Sequence, residues 1–205
     1  MQKTHYNLAS QFLSKLDADW AALVQQIGPC TLETKTEREP YEALARAVAY
    51  QQLSTKVGDV ILHRFIAKFG GVFPTPQALS LAHFDDLRAC GFSGRKIETL
   101  QGIAEAKLNG IIPSREVADE MADEALIERL VTLKGIGRWT VEMMLIFTLK
   151  RQDVLPVDDL GVREGYKRLK GMADAPTPKA LKKIGEAWQP YRSAASWYLW
   201  RVPKL

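Results

Sequence analysis

The stretch Leu133-Lys134-Gly135-Ile136-Gly137-Arg138-Trp139-Thr140 constrains this chain most, because two closely spaced glycines interrupt two helical patterns. Before it, Leu126, Ile127, Leu130 and Val131 recur at helical spacing; after it, Val141, Met144, Leu145 and Thr148 do the same. The segment is therefore a hairpin between helices. Gly135 and Gly137 are expected to adopt positive φ and to bring bare backbone close to a ligand. The second helix then presents unpaired N–H groups and the positive end of its dipole. Those features suit a phosphate oxygen. They also suit an ordinary glycine-capped corner, and G-x-G alone does not separate the two readings.

The rest of the chain reads as helix, with no alternating strand pattern, so the expected class is all-α. Leu13, Leu16, Trp20, Leu23, Val24 and Ile27 predict one amphipathic opening helix, stopped by Gly28-Pro29. Tyr41 to Leu53 predicts another, ending on Gln51-Gln52-Leu53-Ser54, with Ser54 capping a helix that Gly70-Gly71 closes. Thr75-Pro76 starts a short helix, and Ser93 caps one over 94–107. Gly91-Phe92-Ser93-Gly94-Arg95-Lys96-Ile97 echoes the hairpin in outline, and two glycine-capped corners explain it better than a second phosphate grip. Further helices are expected over 162–169, from Thr177-Pro178 to Trp188, and from Pro190 onward. Arg163, Lys167, Arg168 and Lys170 fall on or near an exposed side, and Lys179, Lys182 and Lys183 on a solvated face.

A length of 205 residues, 46% hydrophobic, is enough for one good core or two small ones. The formal charge of +4 is compatible with a polyanionic partner without pointing to one. No apolar run reaches membrane-spanning length, and the N-terminus lacks the basic-then-apolar form of a signal peptide. An intracellular protein with no membrane partner is expected. Two cysteines, Cys30 and Cys90, are too few for a four-cysteine iron–sulfur or zinc site. His5, His63 and His83 are widely separated and match no metal spacing, which favours structural or surface roles and no catalytic metal.

Downstream of the hairpin runs Asp153-Val154-Leu155-Pro156-Val157-Asp158-Asp159-Leu160-Gly161, where adjacent carboxylates follow a proline-stiffened loop and open a helix. Hairpin, helix and P-V-D-D element together resemble the helix-hairpin-helix superfamily of DNA base-excision glycosylases. Within it they are most similar to the 3-methyladenine DNA glycosylase II branch, in a compact form without an N-terminal β-rich domain. The resemblance implies a single domain over 1–205, with two helical lobes flanking a DNA-binding active-site cleft. It implies a monomer that flips out alkylated bases of duplex DNA and hydrolyses their N-glycosidic bonds without a cofactor. Its compartment would be cytoplasm or nucleoid in a bacterium and nucleus in a eukaryote.

Cleaving that bond requires stabilising an oxocarbenium-like sugar and delivering water, which one ionised carboxylate can do. Asp158 or Asp159 can supply it, since a helix N-terminus holds a carboxylate anionic; a plain N-cap is the alternative. The resemblance, through its P-x-x-D-L step, implies Asp159 as the catalytic group and leaves capping or water positioning to Asp158. It places Trp139 where bifunctional relatives carry the Schiff-base lysine, so no amine is offered there. Trp139 is then a base-pocket wall able to attract a cationic alkylated ring. Met143, one turn later, and Tyr191 of Trp188-Gln189-Pro190-Tyr191-Arg192-Ser193 complete the pocket. The Gln51-Gln52-Leu53-Ser54 element resembles the family's wedge into the duplex, with Gln52 leading and Gln51 in support. Lys134, Gly135, Ile136, Gly137, Arg138 and Thr140 form the phosphate-binding hairpin, with a monovalent cation at the carbonyls of Leu133 and Ile136 as a subsidiary expectation. Two other functions stay open: a non-catalytic module that only grips duplex DNA, and a bifunctional glycosylase-lyase. Asp159 and Tyr191 weigh against the first, Trp139 and the cysteine count against the second.

Overall fold

The computed structural model describes residues 2–203, apart from the side chains of residues 2–5 and of Thr55. The side chain of His5, for which a structural or surface role is expected, lies outside the described residues. In chain order the helices begin with α1 (Gln2–Leu13), α2 (Ala18–Ile27), α3 (Pro40–Tyr50), α4 (Thr55–Lys68), α5 (Pro76–Ser80), α6 (Phe84–Cys90) and α7 (Gly94–Leu108). There follow α8 (Arg115–Glu120), α9 (Asp123–Leu130), α10 (Arg138–Phe147), α11 (Leu160–Leu169), α12 (Pro178–Ile184) and α13 (Arg192–Leu199), with a 3-10 turn over Gly185–Trp188. No strand occurs among the described residues, so the class is all-α.

The chain divides into two compact units: residues 35–149, and the segments 1–34 and 150–205 together. In the continuous unit α3 packs against α4, α7 and α10, and α5 lies on α7. Leu44, Val48, Phe65, Leu100 and Leu145 are buried at its centre. Phe65 meets Phe69, Phe73 and Phe92 at ring separations of 5.3, 5.6 and 5.4 Å, each near edge-to-face, the arrangement aromatic quadrupoles favour. In the discontinuous unit α13 packs on α1, α2 and α11. Leu13, Trp20, Val162, Trp188 and Tyr198 are buried, with Trp20 edge-on to Trp188 at 5.4 Å. Gly165 lets α11 approach α13, since a Cβ there would collide with the Leu199 carbonyl.

Several expectations needed correction. The single opening helix is two, because Asp17 stops the chain: its Oδ1 accepts from the Asp19 and Trp20 N–H groups, both at 3.0 Å, and starts α2 as an N-cap. Helix α3 ends at Tyr50 rather than running to Leu53, because Gln52 takes φ +59°, which no right-handed helix accommodates. Helix α8, capped by Ser114, was not foreseen. Arg163, Lys167, Arg168 and Lys170 are half-buried; Arg163 donates to the Pro176 carbonyl and Lys170 bridges Asp17 and Asp19 at 2.7 and 2.8 Å. The expected caps at Ser54, Thr75, Ser93 and Thr177 are all present, Lys179, Lys182 and Lys183 are exposed, and so are His63 and His83. Cys30 and Cys90 are buried free thiols.

Candidate active site

The hairpin joins α9 to α10 through residues 131–137, and its two glycines turn out to serve different purposes. Gly135 sits at φ +84°, and a Cβ there would strike the Thr99 side chain on α7, so both conformation and packing require glycine. Gly137 does not have the positive φ expected of it. At φ −98° and ψ 167° it is the N-cap of α10 in a conformation any residue adopts, and a Cβ would meet nothing within 4 Å. Nothing inside the protein demands glycine at that position. A bare backbone there leaves room for something that approaches from outside, above a helix N-terminus with unpaired N–H groups.

The charged side chains of the hairpin are already engaged. Lys134 Nζ lies 2.8 Å from Glu98 Oε2 on α7, and the Arg138 guanidinium makes two 2.7 Å hydrogen bonds to Glu124 and a 3.0 Å bond to Glu142. The Glu124 contact holds the arginine still more firmly protonated. An anion at this turn would therefore be met chiefly by backbone N–H groups. The surplus of carboxylates is compatible with the monovalent cation expected at the Leu133 and Ile136 carbonyls, which would offer oxygen ligands and a counter-charge. The Leu133 carbonyl also accepts the Ile136 N–H at 3.0 Å.

Gln51 ties the end of α3 to this hairpin. Its Nε2 donates to the Gly135 carbonyl at 3.3 Å and lies 3.4 Å from Thr140 Oγ1. Lys96, a residue of the stretch that echoes the hairpin, anchors the same helix end by donating to the Ala49 carbonyl at 3.0 Å, and burial pushes its pKa down. With Gln51 and Ala49 held, the next residues leave the helix through the left-handed Gln52, and Gln52 and Leu53 stand exposed. A cavity of about 690 Å³ opens beside them, lined by Tyr50, Gln51, Gln52, Leu53, Trp139, Met143 and Phe147. Trp139, Met143 and Phe147 reach it because they recur every fourth residue along α10. Trp139 keeps 39% of its surface exposed. The unit spanning 35–149 thus brings together the residues expected of the hairpin and the wedge with two of the three expected of the pocket, Trp139 and Met143, and adds Tyr50, whose hydroxyl donates to Asp59 at 2.5 Å.

The carboxylates and Tyr191 belong to the other unit. Asp159 is the N-cap of α11, its Oδ1 accepting from the Val162 N–H at 2.8 Å. The same oxygen accepts from the Trp200 indole N–H at 2.9 Å, so two donors on different elements fix the carboxylate. Capping or water positioning is the expectation for Asp158; the cap falls on Asp159 instead, and Asp158, one residue too early for it, is exposed. Gly161 keeps this corner tight, as a Cβ would approach Trp200 Cδ1 to 2.9 Å and Asp159 Oδ1 to 3.0 Å. Trp200 escaped the sequence reading because it lies among the aromatic residues of the last helical pattern, where an indole reads as packing, and far from Asp159 along the chain. Tyr191 precedes α13, its ring 5.3 Å from that of Phe12 on α1. Arg192 beside it is clamped by Asp153 at 2.6 and 2.8 Å, which fixes the start of α13. Among the described residues there is no cluster of three or more metal-ligating side chains.

A glycine hairpin with the end of α3 held against it, a cavity beside Trp139 and, in the other unit, a helix-capping Asp159 are features expected of the base-excision class, and comparison with known proteins shows that class. Residues 45–190 match the family described as HhH-GPD superfamily base excision DNA repair protein. The chain is 48% identical over 204 residues to DNA-3-methyladenine glycosylase 1 of Schizosaccharomyces pombe, covering 98% of this chain and 90% of that one. It is 39% identical over 202 residues to the alkylbase DNA glycosidase-like protein mag2 of the same organism, covering 98% and 95%. Among solved structures, the Schizosaccharomyces pombe 3-methyladenine DNA glycosylase in complex with abasic DNA superposes with a TM-score of 0.87 at 48% identity, covering 94% of this chain and 95% of that one. A DNA-3-methyladenine glycosidase from Bacillus halodurans gives 0.82 at 33% identity, covering 94% and 88%. The chain belongs to the HhH-GPD superfamily of base-excision DNA repair proteins.

Proposed function

We infer that this protein is a monofunctional DNA-3-methyladenine glycosylase: it flips alkylated bases out of duplex DNA and hydrolyses their N-glycosidic bonds, initiating base-excision repair. The observation that carries this reading is the Gln51 side chain, which makes the wedge, the hairpin and the Trp139 pocket one assembly. A backbone grip on phosphate positions the strand, the wedge fills the space a flipped nucleotide vacates, and an aromatic cavity receives the base. A cationic alkylated ring gains about 0.5–2 kcal/mol on an aromatic face and is already a good leaving group, so a strong general acid is dispensable. Asp159, held by the Val162 and Trp200 N–H groups, is the anion that stabilises the oxocarbenium-like sugar and orients water. Asp158 is left as an exposed neighbour of the catalytic carboxylate. The two units serve one glycosylase domain, acting as a monomer wherever genomic DNA is held.

The test is base release from duplex DNA carrying N-methylated purines, followed by mass spectrometry of the freed base. Free methylated base should appear while the strand stays intact until alkali or heat is applied. Borohydride should trap no covalent adduct, because the side chain at the lyase position is an indole. Tight binding without base release would favour the non-catalytic module, and efficient trapping would favour the lyase.

A further inference from the structure

The two cations of the hairpin are each met by carboxylates. Lys134 and Arg138 are its cations, and Glu98, Glu124 and Glu142 contact them at 2.8, 2.7 and 3.0 Å. Glu142 is 3% exposed and works inside the unit, bracing the first turn of α10. Glu98 and Glu124 are different: 57% and 60% exposed, they stand on separate helices, α7 and α9, on either side of the turn. The Lys134–Glu98 pair is of the exposed, single-contact kind that adds little to folding stability, whereas the two-point Arg138–Glu124 pair also helps to fix the turn. Their effect on a polyanion is larger. A site shaped only for affinity would leave both cations free, since neutralising phosphate with Lys and Arg and releasing counterions drives non-specific binding.

Resting on the reading that the hairpin holds DNA phosphate, we propose that Glu98 and Glu124 are specificity-determining residues that cancel the hairpin's side-chain charge. Contact with the backbone then depends on directed N–H groups, and undamaged duplex, which offers phosphates but no base that flips readily, is held weakly. Damaged duplex gains from the wedge and the Trp139 pocket, contacts the carboxylates do not touch. What a searching protein needs is the ratio of specific to non-specific affinity more than affinity itself, and that ratio rises when the side-chain charge removed is a larger part of the non-specific complex than of the specific one. Arg95 also acts on the Glu98 carboxylate, and Lys96 stands at the end of α3 that adjoins the hairpin.

The experiment measures equilibrium binding of wild type, Glu98→Gln, Glu124→Gln and the double variant over a range of salt concentrations. Two duplexes are compared, one undamaged and one carrying a stable abasic-site analogue. Glutamine keeps the size and removes the charge, and melting temperature checks that each variant is folded. Each single variant should bind undamaged duplex about three- to tenfold more tightly. Its plot of log affinity against log salt should steepen by about one unit, the signature of one recovered cation–phosphate contact. The abasic duplex should gain less, so discrimination falls, while base release at saturating enzyme stays at the wild-type rate. Unchanged affinity and slope for undamaged duplex overturns the proposal, as does equal tightening on both duplexes. Gly137→Asp run in parallel separates the two levels. If it weakens binding while the glutamine variants do nothing, the charge-cancelling role alone fails; if it too changes nothing, the phosphate grip fails and takes the proposal with it.

Discussion

At the scale of single residues, the site turns on how Asp159 is held. One oxygen accepts from a backbone N–H on its own helix and from the Trp200 indole at the end of α13. Asp159→Asn keeps the size and the capping ability and removes the anion, so the fold should persist while base release collapses. Losing a dedicated electrostatic contact typically costs on the order of 10²–10³-fold in rate. Asp158→Asn should leave both melting temperature and rate near wild type, since the cap falls on its neighbour. Trp200→Phe removes one donor and keeps the ring, so Trp200 is tested as a positioning residue. A hydrogen bond to a charged group is worth roughly 1.5–3 kcal/mol, so base release should slow by about tenfold or more at unchanged duplex affinity. Single-turnover release by the three folded variants checks all of this. An inactive Asp158→Asn beside an active Asp159→Asn would move the catalytic role by one residue. The sequence offered both carboxylates, but not the indole that distinguishes them.

At the scale of elements, the hairpin separates what glycine does for the fold from what it does for a ligand. Gly135→Ala places a side chain at φ +84° and against Thr99, and should destabilise by about 1–3 kcal/mol in a denaturant titration. Gly137→Ala meets open space at an ordinary φ, so stability should hold within a few tenths of a kcal/mol while duplex affinity falls. Gly137→Asp should lower affinity further, by about tenfold or more, since it adds an anion where phosphate is expected. Equal affinity of folded Gly137→Asp and wild type would remove the hairpin from the binding surface. The helices bounding this turn were legible because apolar spacing and glycine punctuation agree. Local patterning failed where a side chain far along the chain decides the outcome. Asp17 breaks the opening helix with a cap that Lys170 supports from the other end of the sequence, and the apolar period running through Asp17 gives no sign of it.

At the scale of the whole molecule, the chain leaves one unit at Thr34 and returns to it at Lys150. Periodicity could foresee two helical bodies but not that the first and last segments share one, because that pairing rests on long-range burial such as Trp20 against Trp188. Each unit also buries a weak acid that must stay neutral. In the discontinuous unit Cys30 is 4% exposed, and burial pushes its thiol from 9.0 up to about 11, with Arg201 pulling weakly the other way. In the continuous unit burial drives the Tyr41 hydroxyl far higher, where it donates to the Pro74 carbonyl. Both groups have folded-state pKa values raised above the unfolded ones. Their contribution to stability is therefore complete below the unfolded pKa and declines as pH climbs towards the folded one. For Cys30 that window is about pH 9 to 11, and a shift of this size corresponds to on the order of 2–3 kcal/mol lost across it. Unfolding free energy measured at stepped alkaline pH should fall through the window in wild type. Cys30→Ala, less stable at neutral pH for want of the sulfur's packing, should fall less steeply between the same limits. The Tyr41-linked decline should remain in both proteins at higher pH. Identical slopes for wild type and Cys30→Ala from pH 9 to 11 would mean that the thiol is not held neutral by the fold.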